Sequence, residues 1–345
     1  MKRLLSKNEF YLFAILLAVC VTIGAINNTF FAAGNIVDLF RTATPYGIFA
    51  VGIMMVVVSG GIDISFPAIA TLSTYATLLI LINSNIPGSL PLFFIISCAI
   101  GFILGSINGV FIAYFEFPPL IVTLATQSIY YGIQYVFLGS KRLTSLPVYI
   151  NDFSKAGFFS VVDESGMTSM FPQYFAVLAV VLLIAVFVLR YTLVGRGIYA
   201  IGGSKVSAAR VGFKVRTIQM LLYSAAGVIA AVGGVVYTAM TRQGNPAALL
   251  GLEMTIISIA VLGGIDIAGG KGSILGLTLG LVFFIVINNS LILIGLSSYW
   301  KTFALGVAMY MYASAIALKS KIQKKKVREI DTKDNDVGGI IHERS

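Results

Sequence analysis

The sequence has few charged side chains for its length. Only 11% of its 345 residues are charged, whereas 58% are hydrophobic and a further 35 residues are glycine. Soluble chains carry about 25% charged residues, and a soluble domain of this composition could not cover its surface with polar groups. The composition therefore excludes a soluble globular protein and predicts a membrane protein.

Cysteine and histidine are also scarce. The two cysteines, Cys20 and Cys98, lie in apolar runs, and the single histidine, His342, lies near the C-terminus. This excludes a disulfide framework and a metal knuckle. It also leaves most metal-based and His-based catalytic schemes without their central residues. We therefore expect a protein that is not an enzyme and holds no metal.

Long apolar runs are what the sequence does contain. A helix of about 20 apolar residues crosses a bilayer, and counting such runs gives ten candidate spans: 10–32, 44–60, 64–83, 90–115, 119–138, 173–191, 217–240, 252–266, 272–294 and 298–318. We predict an all-α, polytopic helical bundle of about ten transmembrane helices over residues 1–318. A basic, mostly disordered tail follows at 319–345.

The basic residues predict the orientation of these spans. Residues 190–216 carry six basic side chains and no acid, and both ends of the chain are also basic. Lys and Arg are enriched in cytoplasmic loops, and an even number of spans between these segments puts all three on one side. We predict cytoplasmic N- and C-termini and an outer loop at about 139–172. The net charge of +10 then gives no reason to expect a nucleic acid partner.

A glycine-rich motif occurs twice, as VSGGIDI at residues 58–64 and as VLGGIDI at residues 261–267. Duplicated interruptions of apolar segments indicate broken helices in transporters. Asp63 and Asp266 stand where each would cap the next helix. For Asp63 two compatible interpretations are open, a structural cap and a helix end beside a solute pathway.

The segment 269–273 contains a Gly-Lys pair but not a phosphate-binding loop. A Walker A motif needs a glycine five residues before its Gly-Lys pair and Ser or Thr directly after it. Ile265 and Gly272 occupy these two positions. We therefore expect a tight turn that opens the next helix, and no ATPase motif in this chain.

Neutral polar side chains lie within several predicted spans. Asn108 stands beside three glycines spaced four residues apart (Gly101, Gly105 and Gly109), a pattern that favours close helix packing. Buried polar groups need partners in another helix or a hydrated cavity. Each single residue is explained by helix packing, but together they favour a pathway for a neutral, polyhydroxylated solute. The predicted pathway residues are Asp63, Ser65, Asn108, Thr123, Gln127, Asn288 and Asn289.

The basic segment at about 192–216 alternates glycines with positive charges, and a short helix fits between Ser204 and Val211. A short helix between glycines is suited to docking into another protein, and an ordinary positively charged loop is the alternative. The loop at 242–246, before Glu253, either contacts a delivery protein or only ends two helices.

These motifs, in this order, resemble the permease subunits of bacterial sugar ABC importers of the ribose, galactose, xylose and autoinducer-2 type. The resemblance runs from about residue 25 to 320. Its motifs lie at 28–31, 35–36, 58–65, 105–109, 121–124, 195–203, 208–210, 261–264, 268–272 and 288–289. Pro67 and the segment 244–248 depart from the family's pattern, which leaves the identity of the solute open.

The resemblance implies a complex in a bacterial inner membrane. Two permeases, either two copies of this chain or this chain and a sister chain, form the pathway. Two cytosolic ABC ATPase subunits bind the ATP, and a periplasmic or lipid-anchored binding protein delivers the sugar. The chain itself then needs no cofactor, and its remaining surface contacts membrane lipid.

The resemblance also implies that segment 192–216 is the ATPase-coupling loop. Its predicted contact residues are Arg196, Gly197, Gly202, Gly203, Ala208, Ala209, Arg210 and Gly212. The alternative solutes are a branched-chain amino acid and a nucleoside. An ion-coupled secondary transporter is a more distant alternative, because it would need intramembrane ionisable groups and only Asp63, Asp266 and Glu253 are available.

Overall fold

A computed structural model describes residues 8–84, 88–162, 166, 168–293, 295, 300, 303, 306, 307, 310 and 314. The chain divides into two compact units, Met1–Gly295 and Leu296–Ser345. In the second unit the described residues are helical, and Trp300 and Phe303 form an edge-to-face pair. The predicted tail at 319–345 and most of the predicted tenth span lie outside the described residues.

The first unit is almost entirely helical. Its helices are α1 (Asn8–Ile26), α2 (Ala33–Val58), α3 (Phe66–Asn83), α4 (Leu90–Ala113), α5 (Pro119–Ile133), α6 (Val148–Lys155), α7 (Phe175–Tyr191), α8 (Leu193–Gly203), α9 (Lys205–Arg210), α10 (Val215–Thr241), α11 (Leu252–Leu262) and α12 (Ile274–Leu293). A 3₁₀ turn (Asn28–Phe31) precedes α2, and a π-helical turn (Gln134–Leu138) extends α5. Strands β1 (Gly157–Val162) and β2 (Thr168–Pro172) pair antiparallel.

Each of the first nine predicted spans coincides with a helix, but not every helix is long enough to cross a membrane. Among the described residues, α1, α2, α3, α4 and α10 are long and apolar enough, and α7 with α8 would make a sixth span bent by 73°. α11 and the part Ile274–Ser290 of α12 are shorter apolar helices. The structure therefore confirms a polytopic helical protein and does not confirm ten crossings. α2 also begins at Ala33 rather than at 44 and continues through Pro45.

The centre of the first unit is the packing of α10 against α4, α2 and α3. The predicted glycine row on α4 makes this contact. A Cβ atom on Gly101 would lie 2.5 Å from the carbonyl oxygen of Gly227, and one on Gly109 would lie 2.8 Å from Met220 Sδ. Because these glycines have no side chain, the backbones of α4 and α10 approach closely. The sequence-based prediction of close packing is confirmed.

The segment at 139–172, predicted as an outer loop, packs on the helical body. It contains α6 and the β1–β2 hairpin, neither of which was predicted. Leu143 and Gly244 exchange two backbone hydrogen bonds of 2.8 and 2.9 Å, which fasten the segment to the turn after α10. Leu146 and Ile150 are buried against Phe93 of α4. The hydrophobic effect thus fixes this segment on the helical body.

Candidate functional site

The first helix break begins where α2 ends. Gly60 has a φ of +81°, a conformation that glycine adopts without strain. Its amide donates to the Val57 carbonyl over 2.9 Å, and the Gly61 amide donates to the Val56 carbonyl over 3.2 Å. This pair of bonds is a Schellman cap, which satisfies the last carbonyls of α2 and turns the chain out of the helix.

The second break, after α11, has the same construction. Gly264 has a φ of +81°, its amide donates to Val261 over 2.8 Å, and the Ile265 amide donates to Ala260 over 3.2 Å. The two motifs therefore form similar backbone breaks, as predicted. They differ in one respect, because the left-handed glycine is the first of its Gly-Gly pair at Gly60 and the second at Gly264.

Asp63 lies at the centre of a buried polar cluster after the first break. Its Oδ1 accepts hydrogen bonds from the Ser65 amide (2.8 Å) and the Ser65 hydroxyl (2.6 Å). Asn108 Nδ2 on α4 donates to Ser65 Oγ over 2.8 Å. Thr123 Oγ1 on α5 donates to the Ile62 carbonyl over 3.2 Å. These four side chains, Asp63, Ser65, Asn108 and Thr123, are called the polar cluster below.

The prediction that Asp63 is the N-cap of α3 is only partly right. Ser65 occupies the N-cap position, and its side chain makes no cap hydrogen bond. Asp63 acts from two residues earlier and bonds the Ser65 amide. Asp266 makes the same local turn, because its Oδ1 accepts from the Ala268 amide over 3.0 Å. Aspartate is favoured in such turns because its short side chain reaches the amide two residues ahead.

The remaining three predicted pathway residues lie outside the polar cluster. Gln127 Nε2 donates to Glu253 Oε1 over 3.0 Å, which joins α5 to the first turn of α11. Asn288 Nδ2 and Asn289 Oδ1 on α12 are 3.4 Å apart, so this pair bonds within itself. α12 packs against α1, α2 and α11. The structure thus divides the seven residues into a cluster of four, a link between helices and a separate pair.

Several buried polar atoms in the described part of the chain have no hydrogen-bond partner. They include both amide atoms of Gln134, Asn108 Oδ1, Glu253 Oε2 and the Tyr223 hydroxyl. Gln134 is fully buried and lies in the π-helical turn, a feature found frequently at functional sites. Gln134 and Glu253 are not among the seven predicted pathway residues, and Tyr223 carries no local signal in the sequence. These atoms can bond a solute or water that enters the helices.

The predicted coupling segment forms two short helices. Thr192 separates α8 from α7, since its hydroxyl donates to the Val188 carbonyl (2.7 Å) and accepts from the Gly195 amide (3.1 Å). The predicted helix between Ser204 and Val211 is confirmed as α9. It begins with the Ser204 hydroxyl accepting from the Ser207 amide over 3.2 Å.

The residues predicted to contact an ATPase differ in exposure. Arg196, Gly203, Ala209, Arg210 and Gly212 are exposed, whereas Gly197 and Ala208 are buried and Gly202 is half-buried. Val206 and Val211, which were not predicted, are 62% and 79% exposed. The exposed face of α9 therefore combines positive charge with apolar side chains. The buried glycines instead pack inward against the rest of the chain.

A polar cavity of about 330 Å³ lies between the hairpin, the start of α2 and the end of α10. Its charged lining residues are Asp38, Arg41, Lys155 and Arg242. Arg41 pairs with Asp38 over 2.8 Å, and Arg242 Nε donates to Ser154 Oγ over 2.8 Å. Because three basic side chains and one carboxylate line it, the cavity is positively charged.

Long apolar helices, two capped helix breaks and a buried polar cluster define a polytopic helical membrane protein of the transporter class. Over residues 35–313 the chain matches the family described as the permease component of the branched-chain amino acid transport system. The chain belongs to this permease family. It is therefore a multi-pass membrane transport subunit.

Curated relatives cover nearly the whole chain. The ribose import permease protein RbsC of Bacillus subtilis is 32% identical over 85% of this chain and 88% of its own length. The corresponding protein of Haemophilus influenzae is 29% identical over 87% and 90%. The autoinducer 2 import system permease protein LsrC of Salmonella choleraesuis is 28% identical over 91% and 88%. No solved structure matches the chain.

Proposed function

We propose that the chain is the transmembrane subunit of an ABC importer that moves a sugar or sugar-like solute across a bacterial inner membrane by alternating access. The similarity to ribose and autoinducer-2 import permeases over 85–91% of the chain carries this proposal. Separate ATPase subunits would bind the ATP, so the chain would need no cofactor. The neutral side chains around Asp63 suit hydroxyl-bearing solutes, which both accept and donate hydrogen bonds.

The proposed pathway follows the polar cluster and Gln127, with Asn288 and Asn289 contributing from α12. The two faces of α5 and the π-helical turn that extends it support this pathway. Thr123 and Gln134 are fully buried on one face, whereas Ile121, Val136 and Phe137 are 64%, 76% and 78% exposed on the other. In a membrane, polar side chains face the protein interior. The apolar face is then left for lipid or for a second permease, either another copy or a sister chain.

The proposed coupling surface is the exposed side of α8 and α9. Its charged rim consists of Arg196 and Arg210, and its apolar anchors are Val206 and Val211. This arrangement is typical of protein interfaces. The less exposed residues would hold the two helices in place behind this surface: Gly197, Gly202 and Ala208. The exposed small residues would lie against the ATPase: Gly203, Ala209 and Gly212.

A charge reversal with a helix break tests this surface. Arg210→Glu combined with Gly203→Pro should abolish ATPase stimulation and uptake in proteoliposomes, because it reverses a docking charge and disrupts the end of α8. Arg190→Glu, a charge reversal at the end of α7, is the matched control and should retain both activities. Unchanged uptake in the double variant would refute the coupling surface.

The positively charged cavity and the packed segment at 139–172 are the proposed docking side for a periplasmic or lipid-anchored binding protein. Arg41 lies in the first half of α2, and Arg242 is the C-cap of α10, so contact with these side chains would reach the helical bundle directly. This assignment requires the segment to lie outside the membrane and both termini to lie in the cytoplasm. The ten spans predicted from the sequence would satisfy that requirement, although not all of the helices at these positions are long enough to cross a membrane.

The family description favours a second candidate, a branched-chain amino acid. The measurement that separates the two is competition in proteoliposomes containing the permease, its ATPase subunits and its binding protein. Uptake of radiolabelled ribose should be retained in excess leucine and be inhibited by unlabelled ribose. Uptake of leucine with no uptake of ribose would replace the sugar with an amino acid.

A further inference from the structure

Three separate backbone segments meet beside the first helix break with no side chains between them. Gly60 follows the end of α2, Gly202 lies at the end of α8, and Gly269 and Gly270 lie in the turn between α11 and α12. These four residues are called the glycine junction. The Gly270 amide donates to the Val58 carbonyl over 2.8 Å. Gly202 of α8 contacts Val58 at the end of α2 and Gly270 in the turn that follows the second break, so α8 meets both segments through the main chain.

The glycine junction has no room for side chains. A Cβ atom on Gly202 would overlap the Val58 carbonyl oxygen and the Gly270 amide nitrogen, and one on Gly269 would lie 2.7 Å from Gly60 Cα. In addition, Gly60, Gly269 and Gly270 have φ angles of +81°, +91° and +74°. Only glycine combines this close approach with these conformations.

The glycine junction adjoins the polar cluster along the chain. Asp63 follows Gly60 by three residues, and Gly61 packs directly against the Tyr223 hydroxyl. On the other side, the Tyr199 hydroxyl of α8 donates to the Gly272 carbonyl over 3.0 Å. Close-packed interiors transmit strain, and here no flexible side chain lies between α8 and the break to absorb a displacement.

We infer that the glycine junction transmits movement of α8 and α9 to the break that carries the polar cluster, with Gly202 as the positioning residue. The inference rests on the proposed function, in which the exposed face of α9 receives the movement of an ATPase. It gives Gly202 a role other than partner contact, since this residue lies against Val58 and Gly270. The access of solute to Asp63 and Asn108 would then be controlled through a backbone contact.

Hydrogen exchange of the full-length permease in detergent tests the physical link without any partner. In Gly202→Ala, the amides of residues 59–66 should exchange about tenfold faster, because the added methyl group displaces Val58 and loosens the break. Gly101→Ala in α4 is the matched control, because its added methyl group would also clash with a backbone carbonyl oxygen, that of Gly227 on α10. It should accelerate exchange in those two helices and not in 59–66. Gly132→Ala, whose Cβ would contact nothing within 4 Å, should leave both regions unchanged.

The assembled importer tests the transmission. With ATPase subunits and binding protein in proteoliposomes, Gly202→Ala should lower radiolabelled ribose uptake per ATP hydrolysed about tenfold, the range of a typical coupling between sites. Assembled Gly101→Ala complexes should keep the unsubstituted ratio, because a packing defect reduces the amount of complex and not its coupling.

The outcomes separate the inference from the function on which it rests. Unchanged exchange at 59–66 in Gly202→Ala would overturn the physical link, and an unchanged uptake ratio would overturn the transmission. Faster exchange at 59–66 together with a lower ribose uptake per ATP hydrolysed supports both the physical link and the transmission. Absence of ATP-dependent uptake in the unsubstituted complex would overturn the proposed function and the transmission with it, while the exchange data would still decide the link.

Discussion

At the scale of single residues, Asp63 is the side chain on which the first break depends. Its Oδ1 accepts two hydrogen bonds from Ser65 within a fully buried environment. Leaving buried donors without a partner costs about 1–3 kcal/mol. The carboxylate thus has a structural task whatever it does for a solute, which makes the two interpretations of its sequence position compatible.

Asp63→Ala should lower the melting temperature of the permease in detergent, because the Ser65 amide and hydroxyl lose their acceptor. Asp63→Asn retains an acceptor of the same shape, so its melting temperature should be close to that of the unsubstituted protein. Asp266→Ala is the matched control, since that turn contributes one hydrogen bond at an exposed site. Equal melting of Asp63→Ala and Asp266→Ala would contradict the account of the buried turn.

Asn108→Leu and Asn289→Leu should both impair uptake while the complex still assembles, because each removes an amide from the proposed pathway. Asn108→Leu should also lower the melting temperature, by the loss of about 1 kcal/mol for its bond to Ser65. Asn289→Leu, at a half-buried site, should not. Normal uptake in both variants would demote the two residues to packing roles.

Individual polar side chains within the helices were easier to recognise in the sequence than their grouping in space. Asn108, Thr123 and Gln127 stand out in the sequence because amides and hydroxyls are rare in apolar helices. Their partners do not stand out, because contacts such as Asn108 with Ser65 join helices that are distant in sequence. The half-buried Asn288 and Asn289 had the same local signal and yet lie outside the polar cluster.

At the scale of helices, Gln127 and Glu253 form the direct side-chain link between α5 and α11. A double-mutant cycle with Gln127→Leu and Glu253→Leu measures it. Hydrogen bonds to charged groups contribute about 1.5–3 kcal/mol, so we expect a favourable coupling energy of that size in thermal unfolding. Additive effects would show that the bond does not join the helices.

Close packing of α4 on α10 gives a second prediction at this scale. A Cβ on Gly105 would overlap the Tyr223 carbonyl oxygen, and such overpacking costs about 1–3 kcal/mol. Gly105→Ala should therefore lower the melting temperature. Gly132→Ala, in open space within α5, should leave it unchanged or raise it, since alanine is the better helix former by about 1 kcal/mol. An equal fall in melting temperature for Gly105→Ala and Gly132→Ala would contradict the close packing of α4 on α10.

The positions of helices were predictable, and their ends and bends were not. Apolar runs mark α1 to α5, α7 and α10 to α12 because hydrocarbon selects for them directly. The bend at Thr192 depends on a threonine hydroxyl bonding the preceding turn, and α6 with its hairpin depends on tertiary burial of Leu146 and Ile150. The internal repeat predicted two similar breaks correctly, because the cap geometry is local to the Gly-Gly pair.

At the scale of the whole molecule, the account requires that the segments at 139–172 and 192–216 lie on opposite sides of the membrane. Lys155→Cys and Ser207→Cys, each in a background with Cys20 and Cys98 replaced by serine, place one thiol at an exposed position in each segment. In right-side-out vesicles an impermeant maleimide should label the first and not the second. Labelling of both from the same side would contradict the proposed topology.

The central claim is that this permease imports a sugar with energy from ATP hydrolysed by separate subunits. The most direct test is uptake of radiolabelled ribose by proteoliposomes that contain the permease, its ATPase subunits and its binding protein, with ATP enclosed and ionophores added. The account predicts uptake that requires ATP and persists when proton and sodium gradients are collapsed. Uptake that proceeds without ATP and stops with the ionophores would contradict it and indicate an ion-coupled transporter.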